Sequence, residues 1–270
     1  MPRHYLMCPP IHYTVSYEIN PWMNVRVATD AQLAMTQWER LRQVYQELGH
    51  TVDVLDPLPQ YPDMVYAANG ATVIDGIAYG AKFRHNERAG EAPAYLRWLT
   101  EQGFTPVEAS ETNEGEGDLL FTDNVILAGT GFRTATQAHD EAQETFGRPV
   151  VSLQLVDPRF YHLDTALVVL RDDLVAYYPP AFSPGSAKVI EHLYPEAIVA
   201  TEADSAALGL NAVSDGTHVI HAPGATDLAA AVRERGMEPI AVDTSELLKG
   251  GGGAKCCTLE LRTAPIAAAA

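Results

Sequence analysis

The chain has 270 residues, 47% of them apolar, enough to bury a sizeable core in one large domain or two small ones. Its formal net charge of −17 argues against nucleic acid, whose phosphates need a basic surface, and against anionic membranes, while a small cationic substrate suits such a field. Three cysteines, two of them adjacent, make a poor disulfide framework, and MPRHYLMCPP has too short an apolar run for a signal peptide, so a reducing cytoplasm is expected.

In chain order, the first helix is expected over Asp30–Gly49, with an aspartate N-cap, a glycine stop, and Leu33, Trp38, Leu41, Val44, Tyr45 and Leu48 on roughly one face. The strand-like HTVDVLD follows at once. The same phrase recurs four times: Glu91–Gly103 leads into FTPVEA, Thr134–Gly147 into RPVVSLQL, Ser183–Pro195 into EAIVAT, and Thr226–Gly236 into MEPIAVD. Between the helices lie β-rich segments such as ATVIDGIAYGAKF, DNVILAGT and TALVVLRDDLVAYY. Intervals of about 40 to 60 residues between helices leave room for several strands apiece, as in a repeat closed into a ring. A doubly wound dehydrogenase-like sheet is disfavoured, because no glycine-rich phosphate loop follows the first strand. The expected architecture is therefore α/β, five ββαβ-like units around a pseudo-five-fold axis, as a single catalytic domain over residues 1–262. The closing TAPIAAAA (263–270) reads as a disordered tail.

Two segments carry the chemistry. GGGGAKCCTLELR (Gly250–Arg262) places a cysteine pair after a flexible glycine turn at the opening of an apolar strand. Far upstream, YHLDTALVVL holds an isolated histidine, His162. A cysteine nucleophile and a distant histidine united by folding are the parts of a covalent hydrolase or group-transfer site. Zinc is disfavoured, since adjacent cysteines cannot easily chelate one ion and no CxxC or HxxxH partner exists. His162 is read as general acid and base, because one imidazole titrating near neutrality can protonate a leaving amine and later deprotonate water. Asp164 lies two residues on, and since i and i+2 of a strand share a face, it is expected to point toward the same site and hold the imidazolium or the substrate.

The order N…EGxGD…HLD…GG…C-x-[ST] resembles the guanidine-modifying penteins, which comprise arginine deiminases, dimethylarginine dimethylaminohydrolases, arginine dihydrolases and amidinotransferases. The segment CPPIHYTVSYEINPWMN is most similar to the arginine dihydrolase branch. The resemblance implies a five-bladed α/β propeller with its site on the axis. It also implies a thiol-dependent attack on a guanidinium carbon, a small cationic guanidino amino acid as substrate, and no metal or organic cofactor. It points to Cys256 in CCT as the nucleophile; the following residue of a strand faces the other way, so Cys257 is expected to point off the axis, and Cys8 is a bystander.

A planar guanidinium is best matched by a carboxylate, and the EGxGD pattern assigns that role to Glu114, with Asp118 beside it and Glu116 as the alternative. Asn69 stands where deiminases and dimethylargininases carry aspartate; with Asn20, it resembles the dihydrolases. Arg88 and Arg133 are candidates for the substrate α-carboxylate, since a planar fork is the preferred carboxylate clamp, with Arg84 a substitute for Arg88. The expected reaction is hydrolysis of L-arginine to ornithine through a covalent thiouronium-type intermediate. Single hydrolysis to citrulline, from arginine or a methylated arginine, is the alternative within the class; an amidinotransferase and a non-catalytic pentein are the others. Homo-oligomerisation is left open.

Overall fold

A computed structural model describes residues 2–122 and 125–263. The polypeptide forms five small three-stranded sheets, and four of them repeat one local plan. In the first, β1 (His4–Met7) leads through α1 (Ala31–Glu47) to a parallel β2 (Thr51–Val54). The second runs β3 (Ala71–Ile74), β4 (Ile77–Gly80), α2 (Ala92–Glu101), β5 (Thr105–Val107). The third is β6 (Leu119–Phe121), β7 (Ile126–Thr130), α3 (Gln137–Phe146), β8 (Val150–Gln154). A short helical turn, α4 (Leu163–Ala166), opens the fourth: β9 (Leu167–Arg171), β10 (Leu174–Tyr177), α5 (Pro184–Leu193), β11 (Ile198–Val199). After α6 (Glu202–Ala206) comes the fifth, β12 (Val213–Ser214), β13 (His218–His221), α7 (Thr226–Glu234), β14 (Glu238–Ala241). The turn α8 (Ser245–Leu248) then leads to β15 (Leu259–Glu260).

In sheets two to five, an antiparallel hairpin is followed by a helix and a parallel third strand. The first sheet lacks a hairpin partner of its own, and β15 supplies it by pairing antiparallel with β1. The two ends of the chain thereby complete one blade and close the ring. First strands of neighbouring sheets lie against one another, β15 beside β3 and β9 beside β12, so they line the axis. The five ββαβ units read from periodicity are those of the structure, and all five helix-to-strand phrases fold as such.

Each helix buries the stripe that faces its sheet. In α1 the Asp30 carboxylate accepts from the Leu33 N–H, and Ala34, Trp38, Leu41 and Tyr45 pack inward. Leu33, expected on that face, is 41% exposed because it lies one position off the 34-38-41-45 stripe. Aliphatic and aromatic side chains from neighbouring blades merge into shared clusters, such as Leu163, Leu167, Val175, Leu210 and Val219 between the fourth and fifth. Of the tail expected at 263–270, all but Thr263 lies outside the described residues. Among the described residues, no helix is long and apolar enough to cross a membrane.

Candidate active site

The repeat itself builds the site. The segment just ahead of each axis-lining strand carries a buried polar side chain: Asn69 before β3, Glu114 before β6, His162 before β9, Asn211 before β12 and Cys256 before β15. All five are at most 2% exposed. They are linked in sequence around the axis. Asn69 Nδ2 donates to the Glu114 carbonyl at 3.4 Å, and Glu114 Oε2 lies 2.7 Å from His162 Nε2. Asn211 Nδ2 donates to the Asp164 carbonyl at 3.1 Å and reaches Cys256 Sγ at 3.1 Å. The Cys256 carbonyl accepts from Ala68 N–H at 3.0 Å, which returns to the first member.

Glu114 is the electrostatic centre. Burial opposes its charge, but Arg133 at 2.8 Å and the His162 hydrogen bond more than offset that, holding the carboxyl well below the usual carboxylate range. An ionised carboxylate only accepts, so Nε2 of His162 donates to it and Nδ1 is left as the ring nitrogen through which a proton can be exchanged. His162 Nδ1 is buried without a hydrogen-bond partner among the described residues, as is Asp164 Oδ1. Buried polar atoms are rarely left so, and a guanidinium and the water that follows it would satisfy both. Gly117 keeps the space beside Nδ1 clear: a Cβ there would lie 3.2 Å from it and 2.3 Å from Asn69 Nδ2. Gly252 does the same at the thiol, where a Cβ would meet the Tyr66 ring at 2.5 Å and Cys256 Cβ at 2.8 Å.

Cys256 Sγ donates to Asp164 Oδ2 at 3.2 Å. Burial, and then the Asp164 carboxylate, push the thiol well above its ordinary range, so the resting group is the thiol. Asp164 itself is pushed up to about 6, chiefly by burial. The folded state therefore binds that proton more tightly than the unfolded chain. The resulting stability is fully present below the ordinary value of 3.8 and is lost as pH rises through about 6. Asp164→Asn removes the titration, and thermal melts across that window should show a shallower fall of Tm with pH than wild type; parallel curves would contradict the assignment.

Several expectations need correction. Asp164 does not share a strand face with His162: the histidine is the N-cap of α4 and Asp164 lies in its first turn. The turn still delivers the carboxylate to the sulfur. The cysteine pair lies in a turn, with the strand beginning only at Leu259, so strand alternation does not set the direction of Cys257. Cys257 packs instead among Tyr5, Tyr13 and Tyr45. Both oxygens of Asp118 are engaged within the protein, accepting from Leu163 N–H at 3.0 Å and from the Thr134 hydroxyl at 2.7 Å, which fixes α4 and the Arg133 loop.

The remaining candidates are placed as follows. Glu116 lies apart from His162 in a buried cluster with Lys255 and Arg262, leaving Glu114 as the acid at the histidine. Arg133 also donates to the Ile19 carbonyl and stacks over Tyr161 at 4.7 Å. Arg88 is buried, clamped bidentately on Glu91, with NH1 on Asn69 Oδ1 at 2.8 Å. Arg84 is exposed and reaches Glu114 only through its backbone N–H. Asn20 ties its own turn to the nucleophile loop by donating to the Gly250 carbonyl at 3.0 Å.

Two buried residues escaped the sequence reading. Asp63 beside Arg88 accepts from Tyr17 OH at 2.9 Å and keeps Oδ1 unpaired among the described residues. Asn211 belongs to no motif; only its place before the fifth hairpin marks it. A cavity of about 430 Å³ is lined in part by Asn211, Gly253 and Ala254, and Asn211 also contacts Cys256 Sγ. Among the described residues, no group of three or more His, Cys, Asp or Glu is gathered so as to hold a metal ion.

A family model for N,N dimethylarginine dimethylhydrolase of the eukaryotic type matches residues 18–263. An N(G),N(G)-dimethylarginine dimethylaminohydrolase of Mycobacterium tuberculosis is 53% identical over 96% of this chain and 86% of its own length. The chain belongs to the dimethylarginine dimethylaminohydrolase family. Within the wider pentein superfamily it is also similar to the bifunctional arginine dihydrolase/ornithine cyclodeaminase ArgZ of Synechocystis, at 39% identity over 97% of this chain and 38% of that protein. The solved N-terminal domain of ArgZ, covalently bound to a reaction intermediate, superposes with a TM-score of 0.93 at 37% identity, covering 97% of this chain and 98% of that one. A dimethylarginine dimethylaminohydrolase adduct at 20% identity and TM-score 0.78 shares the fold. The protein is thus a five-bladed pentein and a hydrolase of guanidino carbon–nitrogen bonds.

Proposed function

We propose that the enzyme hydrolyses free L-arginine to ornithine, two ammonia and carbon dioxide, in two successive rounds at Cys256. In each round the sulfur attacks the guanidino or ureido carbon, its proton passing to His162 Nδ1. The tetrahedral adduct expels ammonia as that proton is handed back, and the covalent intermediate, a thiouronium in the first round and an S-carbamoyl thioester in the second, is opened by a water that His162 deprotonates. The first opening gives citrulline and the second a carbamate on the ornithine δ-nitrogen, which loses carbon dioxide. Glu114 keeps the ring oriented and stabilises the imidazolium that forms twice per round. Asp164 Oδ1 and the Glu114 carboxylate match the planar cation. The likeness to the ArgZ domain, whose solved forms include one covalently bound to a reaction intermediate, supports a covalent course.

The observation that carries the double hydrolysis is Asn69. Its carbonyl oxygen is held by Arg88 and its amide donates to the Glu114 backbone carbonyl, so Asn69 itself presents a dipole and no charge. The product of the first round, a ureido group, is neutral. An aspartate here would favour the cation and add a desolvation cost without an ion pair when the neutral group is bound. Asn69→Asp should lower the ornithine-to-citrulline ratio from L-arginine by about tenfold or more. An unchanged ratio removes Asn69 from the choice of end product. The 53% identity to a dimethylarginine dimethylaminohydrolase favours a second reading, release of dimethylamine and citrulline from asymmetric dimethylarginine, with Cys256, His162 and Glu114 in the same roles.

A further inference from the structure

We propose that Asn211 is a catalytic residue of this site, its side-chain amide donating to the nucleophile's sulfur so that the thiolate forms on demand. The proposal rests on Cys256 as nucleophile and adds the group that makes it one. Two sets of contacts separate this role from simple bracing. Asn211 Oδ1 accepts from Gly253 N–H at 2.8 Å and Cys256 N–H at 3.1 Å, and its carbonyl accepts from Lys255 N–H at 3.2 Å. Those three bonds fix the nucleophile loop and use only oxygens. Nδ2 makes no contact with that loop's backbone; it spans Asp164 O and Cys256 Sγ. The oxygens tie down the nucleophile loop, and the nitrogen, besides its bond to the Asp164 carbonyl, is the part of the amide that reaches the reacting sulfur.

The surroundings of the sulfur make such a donor necessary. The groups facing it are Asp164 on α4, Tyr161 just ahead of α4, and Cys257 next in the chain; Lys255 of the same loop is turned to Glu116. Burial, Asp164 and Cys257 all disfavour a thiolate, and Asn211 is the neighbour whose hydrogen bond favours it. The end of α6 places Asn211: Leu208 adopts the left-handed backbone, φ 55°, that closes the helix, with Leu208 N–H on the Ser205 carbonyl and Gly209 N–H on the Asp204 carbonyl, and the Leu208 carbonyl then accepts the Asn211 N–H at 3.1 Å. Asn211 also lies in the segment leading into the first strand of its blade, as Cys256, Asn69, Glu114 and His162 do in theirs.

Asn211→Asp and Asn211→Ala test this in the full-length enzyme. The aspartate keeps the oxygen that accepts from Gly253 and Cys256 but presents oxygen in place of NH2 to the sulfur. The readouts are the pH profile of Cys256 alkylation by iodoacetamide, located by peptide mass mapping, and kcat and KM with L-arginine or asymmetric dimethylarginine, whichever is turned over. Both variants should shift the alkylation profile upward by about one pH unit or more. Their kcat should fall about 10²-fold at near-constant KM. Asn211→Ser serves as the second variant if either fails to fold, with the same expectation. An unshifted profile accompanied only by a lower Tm makes Asn211 a brace and overturns the proposal. Wild-type enzyme that keeps full activity after Cys256 is alkylated overturns the nucleophile assignment itself and the proposal with it.

Discussion

Cys256→Ser should lose turnover by about 10⁴-fold or more, with the fold and KM region intact. Every feature around Sγ concerns its proton: Asp164 accepts it, Asn211 donates against it, and His162 Nδ1 stands ready without a partner. A hydroxyl forms no anion under those influences near neutral pH, so the serine side chain fills the place and cannot attack. Cys257→Ser is the matched control. Cys257 is buried among tyrosines and contributes packing, so the variant should retain turnover within about tenfold and show its effect as a lower Tm. Steady-state assays on the two variants separate the roles. The opposite pattern would move the nucleophile one residue along, and full activity in both would end the covalent mechanism.

His162→Ala should reduce turnover by about 10³-fold. Without the ring neither the departing ammonia nor the attacking water has a proton carrier, so the reaction stops before the covalent intermediate or accumulates it. Intact-mass measurement on the variant mixed with substrate should find unmodified protein or a stable adduct on Cys256, and near-normal turnover would remove His162 from the mechanism. Glu114 governs how far the defect extends. With His162 gone, Glu114 still pairs with Arg133 at 2.8 Å, so the guanidinium-binding corner survives and KM should change less than kcat.

Much of this molecule was legible in its sequence because two periodicities alternate. The amphipathic stripe of Ala31–Glu47 and its four successors each hand over to a short strand, and that regularity implies a ring. The shortest elements were not legible. β12 spans two residues and carries no alternation to read. The α4 turn is four residues leading into the apolar run of β9, so Asp164 read as strand. The cysteine pair resisted for the same reason, since CCTLEL is equally good as strand from its start or as turn then strand. Within the site, Cys256, His162 and Glu114 were marked by residue type and by motif order. Asp63 and Asn211 were not, because a lone acid or amide in a loop has no pattern until the repeat shows which loops face the axis.

The most direct test of the account is mass spectrometry of the products formed by the wild-type enzyme from L-arginine and, separately, from asymmetric dimethylarginine. The account predicts ornithine with two equivalents of ammonia from L-arginine, with citrulline at most transient, and little turnover of the methylated substrate. Citrulline and dimethylamine from asymmetric dimethylarginine, with L-arginine left intact, would contradict the double hydrolysis and the role given to Asn69.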